Sequence, residues 1–413
     1  MGPANVDLHM RIELAYGSST LPVELPDEMT TVLAPAHQPG LASEREAVVT
    51  ALERPVGSPP LRERIGPRDR LCIVFTDLTR ATPNDRLVPW LLDYLGDISP
   101  QRITLVNATG THRANTVTEL ERMLTPEIAR RYRVVNHDCR LESELVEVGR
   151  MGDGTPALIT RHVCEADLRI VTGFIEPHFF AGFSGGPKGI IPGCAGLATV
   201  MSNHSARNLA HPNSTFGLTE GNPLWEEIRD IAGRVGPSFL LNVALNEARQ
   251  IAGVFAGDLV AAHQVGTDFV RRSAMQPVSD YFDIVVTTNS GYPLDLNLYQ
   301  GDKGMTAGAR FLRKGGLLDL ACECGEGITD DGPCAVAGAC PALQFDARRS
   351  GSRSASRTVS RHRCGGSGRA GRAGRARARC RATPRSADYS VLGASRSIQC
   401  LAMPICRWGR RGE

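Results

Sequence analysis

The sequence predicts an α/β protein, with a parallel-sheet N-terminal domain, a second α/β lobe, and the active site in the cleft between them. Three observations carry this. From Leu71 onward, short continuous apolar runs alternate with amphipathic stretches, the pattern of a parallel sheet covered on both faces. Segments rich in Gly, Thr and His follow those runs directly, where open α/β sheets place their ligands. The rhythm breaks at 275–280 (MQPVSD) and restarts at Phe282, so residues 1–275 are expected to form the first domain and 280–328 the start of the second.

Taken in order, residues 11–15 (RIELA) and 20–25 (TLPVEL) alternate about Tyr16-Gly17-Ser18-Ser19, a hairpin pattern. A short helix is expected over 44–53, leaving through a Pro-rich stretch. Residues 71–77 (LCIVFTD) read as a buried strand and 83–96 as a helix opening on proline. A second strand at 102–110 (RITLVNATG) is followed by a helix over 116–132. Strands are expected at 133–138 and 168–174, and helices at 196–210 and 222–236. A strand pair follows at 239–246 and 250–258, then a long helix over 258–275. The second lobe should open with a strand and loop at 282–293, a helix over 303–316 and a strand at 317–323.

Beyond Asp330 neither period persists. Residues 345–413 hold 17 arginines and three acids (Asp346, Asp388, Glu413), a net +14, which leaves −11 on the preceding residues of a +3 chain. Such a segment buries too little apolar area to offset the entropy of ordering, so residues 329–413 are expected to be disordered. The segment reads like GC-rich coding sequence out of frame; the alternative is an Arg-rich tail that binds nucleic acid. Of 12 cysteines, four (Cys72, Cys139, Cys164, Cys194) are scattered singly through the body, as in a reducing compartment. Cys322-Glu-Cys324 is too tightly spaced for a zinc knuckle. No secretory pattern or membrane-length apolar run is visible, and a cytoplasmic location is expected.

Only three lysines stand against 44 arginines, and two of them lie in chemically dense segments: Lys188 and Lys303. Arginine cannot replace an amine that must lose its proton or form a covalent bond. Four constellations fall at predicted strand ends. Asp77 and Arg80, in DLTRATP, form either a loop ion pair or a clamp for a hydroxyl and an oxyanion. His112, after Thr109-Gly110-Thr111, is placed for acid/base work. Glu176-Pro177-His178 leads into Ser184-Gly185-Gly186-Pro187-Lys188, where glycines can offer backbone N–H groups to an anion beside the amine. His204, on the following helix, can point back to the same place. Gln300 and Lys303 stand three residues apart near a helix start and can share a carboxylate.

Together DLTRATP, TGTHR, EPHFFAGFSGGPKGIIPG, Asn203-His204 and GYPLDLNLYQGDKGMTA, in that order, resemble the nickel-pincer lactate racemase family, from about residue 8 to Gly327. The resemblance implies racemisation of a 2-hydroxy acid such as lactate by reversible hydride transfer, through a flat 2-keto acid. It implies nickel held in a pyridinium-3,5-bisthiocarboxylic acid mononucleotide, joined covalently to Lys188, with His204 completing the nickel coordination. His112 and His178 match the two acid/base groups. Asp77, Ser184, Gly185 and Gly186 are expected around the cofactor, and Arg80, Gln300 and Lys303 around the substrate. Cofactor-maturation enzymes are the implied partners, with no membrane. In that family the second lobe continues well past CECGEG, whereas here an Arg-rich segment follows, so the alternative is a catalytically inactive remnant with a truncated lobe.

Overall fold

The structure, a computed structural model, describes residues 9–278 and 280–327, and beyond these only the strand backbones of 359–363, 389–391 and 400–403. The expectations about a disordered or nucleic-acid-binding tail otherwise lie outside the described residues.

The chain opens with a hairpin, β1 (His9–Tyr16) and β2 (Ser19–Pro26), followed by β3 (Thr31–Leu33) and α1 (Glu44–Glu53). Then come β4 (Leu71–Thr76), α2 (Asn84–Leu95), β5 (Ile103–Ala108), α3 (Val117–Leu124), α4 (Pro126–Arg131) and β6 (Arg133–Asn136). The helix expected over 116–132 is therefore two. Thr125, at φ 76°, precedes Pro126 and cannot continue a helix; its side chain instead caps α4. A hairpin that sequence periodicity missed, β7 (Leu145–Arg150) and β8 (Pro156–Thr160), leads through α5 (Arg161–Cys164) to β9 (Leu168–Phe174). Two short strands follow, β10 (Pro177–His178) and β11 (Gly182–Phe183). The first domain closes with α6 (Leu197–Asn203), α7 (Ala206–Leu209), α8 (Pro223–Arg234), β12 (Ser238–Leu245), β13 (Ile251–Gly257), α9 (Ala261–Ala274) and β14 (Met275–Pro277).

Six strands form the main sheet in the order β13-β12-β9-β4-β5-β6, all parallel except the edge strand β13. Strand parity sorts the core. Leu71, Ile73 and Phe75 pack with Leu87, Leu91 and Leu105 on one face, while Cys72 and Val74 pack with Val106, Ile190, Ile228 and Leu240 on the other. From β4 the chain moves outward to β5 and β6, then returns to place β9 on the other side of β4. The crevice at the carboxyl ends of β4 and β9 is thus the switch point of the sheet, the place such folds use for ligands.

The second lobe is built on β15 (Phe282–Thr288), α10 (Leu298–Ala309) and β16 (Leu312–Ala321), with β15 and β16 parallel. Its helix begins and ends earlier than the expected 303–316. Asn297 caps it, its Oδ1 accepting from the Gln300 N–H at 3.0 Å. After the helix, Leu312, Leu318 and Leu320 alternate inward, and Lys314 is an exposed residue of β16. The remaining strands β17 (Val359–Arg363), β18 (Tyr389–Val391) and β19 (Cys400–Met403) pair with β16, β14 and β15 respectively, and β19 also pairs with β3.

The N-terminal hairpin packs against the second lobe. Ile12, Leu14 and Leu25 form a small core with Ala321, and the Gly17 N–H donates to Asp295 Oδ2 at 2.7 Å. Tyr292 N–H returns a bond to Gly17 O at 2.8 Å. An amphipathic hairpin must bury its apolar face somewhere, and here residues of the second lobe supply the cover.

Candidate active site

All eleven residues singled out in the sequence line one cleft between the main sheet and α10: Asp77, Arg80, His112, His178, Ser184, Gly185, Gly186, Lys188, His204, Gln300 and Lys303. Asp77 and Arg80 follow β4, His112 follows β5, and His178 and Lys188 follow β9, while Gln300 and Lys303 come from α10.

The most ordered part is a chain of hydrogen bonds across the cleft. Lys303 Nζ donates to Gln300 Oε1 at 2.7 Å, which turns the amide nitrogen of Gln300 toward His112 Nε2, 3.4 Å away. His112 Nδ1 lies 2.7 Å from Asp77 Oδ2, and the Thr79 hydroxyl donates to Asp77 Oδ1 at 2.9 Å. Burial tends to raise the Asp77 carboxyl, but His112, Arg80 and Thr79 outweigh it and hold it below the ordinary range. Asp77 is therefore ionised and His112 carries its proton on Nδ1. In the neutral ring the Nε2 lone pair faces the amide N–H of Gln300.

His178 is wired the opposite way. Its Nδ1 accepts the backbone N–H groups of Phe180, at 3.2 Å, and Ala181, at 3.1 Å. The ring proton must then sit on Nε2. Burial, followed by Lys188, Lys303, Arg80 and His204, pushes this imidazole well below its usual pKa, so it stays neutral. The two histidines therefore present an acceptor and a donor to the same space.

Lys188 lines the cleft at a short 3-10 turn, Gly186–Gly189. Burial and then Arg80 pull its amine down to about 7, so about half of it is neutral at neutral pH. Lys303 is lowered in the same way, by burial first and then Arg80. Glu176, beside them, is raised by burial and opposed by Lys303 and Arg80.

The Ser184–Gly186 loop lines the cleft, but not as an open nest of donors. Gly186 N–H is taken by Asn242 Oδ1 at 2.8 Å, and Ser184 N–H by Glu176 O at 2.8 Å. The Ser184 hydroxyl donates to Phe174 O at 3.0 Å. The glycines are needed for packing: a Cβ on Gly186 would come within 2.6 Å of the His263 ring, and one on Gly185 within 2.4 Å of Asn242 Oδ1, both at positive φ. His263 in turn contacts Ser184 O through Nε2 at 2.9 Å. Asn242 and His263 thus hold the lysine loop, and the sequence reading missed both. Replacing Asn242 with Leu should strand the buried Gly186 N–H and cost about 1–3 kcal/mol in denaturant unfolding. A change near zero would show that Asn242 does not hold the loop.

His204 sits at the C-cap of α6, where the helix expected over 196–210 breaks before Ser205 caps α7. Its Nδ1 is buried without a hydrogen-bond partner, and burial, with Lys188, lowers its pKa to about 3. A neutral imidazole with an unsatisfied nitrogen fits a metal ligand. Among the described residues no three His, Cys, Asp or Glu side chains gather as a ligand set, so the other donors to a metal at His204 would come from a bound group. Arg80 Nη1 and Thr76 Oγ1, also in the cleft wall, are likewise buried without partners.

The switch-point crevice thus gathers two oppositely wired histidines and three basic side chains, the kind of cluster that marks a functional site. Comparison with known proteins gives its kind. Residues 16–217 match the family model of the lactate racemase N-terminal domain, and 278–333 that of the C-terminal domain. The lactate racemase of Lactiplantibacillus plantarum is 36% identical over 327 residues, covering 78% of this chain and 76% of that protein. That of Thermoanaerobacterium thermosaccharolyticum is 35% identical over 326 residues, with the same coverage. The solved lactate racemase apoprotein from the latter organism superposes with a TM-score of 0.71 at 35% identity, over 77% of this chain and 76% of that one. A Thermotoga maritima protein at 23% identity and TM-score 0.54, covering 66% of this chain and 69% of that one, shares the fold. The chain belongs to the lactate racemase family, and is by that membership an isomerase. Among the described residues no helix is long and apolar enough to cross a membrane.

Proposed function

We propose that this protein racemises lactate or a similarly small 2-hydroxy acid, using a nickel-pincer nucleotide attached to Lys188. The observation that carries the reading is the opposed wiring of His112 and His178 across one cationic cleft. Removing the Cα proton of a hydroxy acid is unfavourable because its carboxylate disfavours a carbanion. A bound pyridinium nucleotide supplies the missing chemistry, accepting and returning a hydride. The half-buried amine of Lys188 suits an acyl attachment, and the unsatisfied His204 imidazole suits nickel beside soft sulfur donors.

The chain's own residues then divide the work. Arg80, with its unsatisfied Nη1, and Lys303 hold the carboxylate. His112 Nε2 takes the hydroxyl proton of one enantiomer, and ionised Asp77 stabilises the imidazolium that forms. His178 serves the other face as a neutral donor through Nε2. It keeps that proton and donates a hydrogen bond to the substrate oxygen, while the His112 imidazolium returns the proton that it took. The two histidines are therefore not equivalent.

Two experiments test this. Protein produced together with the maturation enzymes should convert either lactate enantiomer to the mixture, followed by chiral chromatography; an adduct-bearing protein that interconverts neither would overturn the reading. In 15N-histidine-labelled apoprotein, His178 should show the Nε2–H tautomer and remain neutral through pH 6.5, whereas an ordinary histidine is half protonated at about that pH. Titration of His178 at that ordinary value would make it a conventional acid/base and refute the division of roles.

A further inference from the structure

Outside the cleft, Cys322 and Cys324 stand side by side. Their sulfurs are 3.2 Å apart, closer than van der Waals contact. Cys322 is buried at the end of β16, and Cys324 is partly open to solvent. The thiol of Cys322 lies flat against α10, where a Cβ on Gly301 would meet its sulfur at 2.9 Å, and it also bonds Asp295 O at 3.5 Å. The segment 322–327 is stapled to the approach of α10: Cys324 N–H to Asp295 O at 3.0 Å, Glu326 N–H to Leu296 O at 2.8 Å, and Leu298 N–H to Gly327 O at 3.1 Å. Arg113, next to His112, adds an ion pair to Glu326 at 3.0 Å.

We propose that Cys322 and Cys324 are a redox-active dithiol that closes to an intrachain disulfide with low-molecular-weight disulfides such as oxidised glutathione, and that closure unseats the start of α10. The sulfurs must approach from 3.2 Å to about 2.05 Å. Cys324 makes that movement, because its neighbour Gly325 stands in open space. The Cys324 thiolate attacks oxidised glutathione, forming a mixed disulfide and releasing one glutathione thiolate. Cys322 then gives up its proton and attacks the Cys324 sulfur, releasing the second glutathione; two protein thiols are oxidised and one glutathione disulfide is reduced to two thiols. Cys324 is the attacking group on two grounds. It is the more exposed of the pair, and its contact with Cys322 lowers its pKa against the effect of burial. Burial acts the other way on Cys72, raised to about 12, and on Cys194. Closure removes the S–H that Cys322 donates to Asp295 O, and the movement of Cys324 draws the stapled segment off the residues that precede Gln300.

The full chain, without cofactor, is treated with oxidised glutathione, then alkylated and digested. Cys322 and Cys324 should lose alkylation together, their shared peptide should be lighter by two hydrogens, and a dithiol reductant should restore both. Hydrogen exchange over 294–304 should quicken in the oxidised parent and stay unchanged in treated Cys324→Ser protein. Retained alkylation at both thiols would overturn the proposal, as would a stable glutathione adduct on Cys324 or a bond from it to a third cysteine. A disulfide with unchanged exchange would overturn the link to α10. No readout depends on turnover, so the result stands apart from the racemase reading.

Discussion

Lys188→Arg protein should fold, purify and carry no covalent adduct, while the parent made beside the same maturation enzymes gains mass on the peptide containing Lys188. Racemisation should fall below detection. A guanidinium keeps the charge but stays protonated, and so is a poor nucleophile toward an acyl donor. The lowered amine gives a second readout in the apoprotein. With a pKa of about 7, half of Lys188 is neutral at pH 7, against fewer than about one in a thousand for an ordinary exposed lysine. Acylation of Lys188 by a small activated ester should therefore rise roughly tenfold from pH 6 to 8 and then level off, where an ordinary amine goes on rising past pH 10. An adduct on the arginine variant would exclude Lys188 as the anchor. A rate still climbing steeply above pH 9 would show that the cleft does not depress the amine.

Asp77→Asn should cost about 10²–10⁴ in kcat with little change in KM, and leave both the adduct and the fold in place. The asparagine amide can donate to His112 Nδ1, driving the ring proton to Nε2 and filling the lone pair that should accept from substrate. Asp77 acts through His112, so the decisive readout is the ring itself: 15N shifts of His112 should switch from the Nδ1–H to the Nε2–H tautomer. A loss of activity with an unchanged His112 tautomer would mean that Asp77 matters in some other way. Full activity would remove the Asp77–His112 pair from the mechanism.

The parts of this site legible in the sequence share a physical cause. Asp77, His112 and His178 follow apolar strands directly, and a parallel sheet brings the ends of such strands together whatever lies between them. Gln300 and Lys303 were legible as one turn of helix, although the start of that helix was not, because its capping residue Asn297 sits in a loop that reads as irregular. Asn242 and His263 were invisible for a different reason. They act on the lysine loop from 56 and 79 residues away, and neither interval repeats a local period. A buried asparagine inside FLLNVALN was the one available hint, since a polar group in a covered strand must find a partner. The wiring of the two histidines depends on which atoms meet Nδ1, and no spacing rule reports that.

The bond between Gly17 and Asp295 spans 278 residues, so the strands flanking Gly17 cannot find their cover until that length of chain has been synthesised. At about 5–20 residues per second, that wait is on the order of tens of seconds. During it, the apolar face carrying Ile12, Leu14 and Leu25 is exposed to every other nascent chain nearby. Yield in the cell should then depend on chaperones that shield this hairpin. Deleting the hairpin would strip the late-folding lobe of its cover, damaging a part of the polypeptide far from the cut.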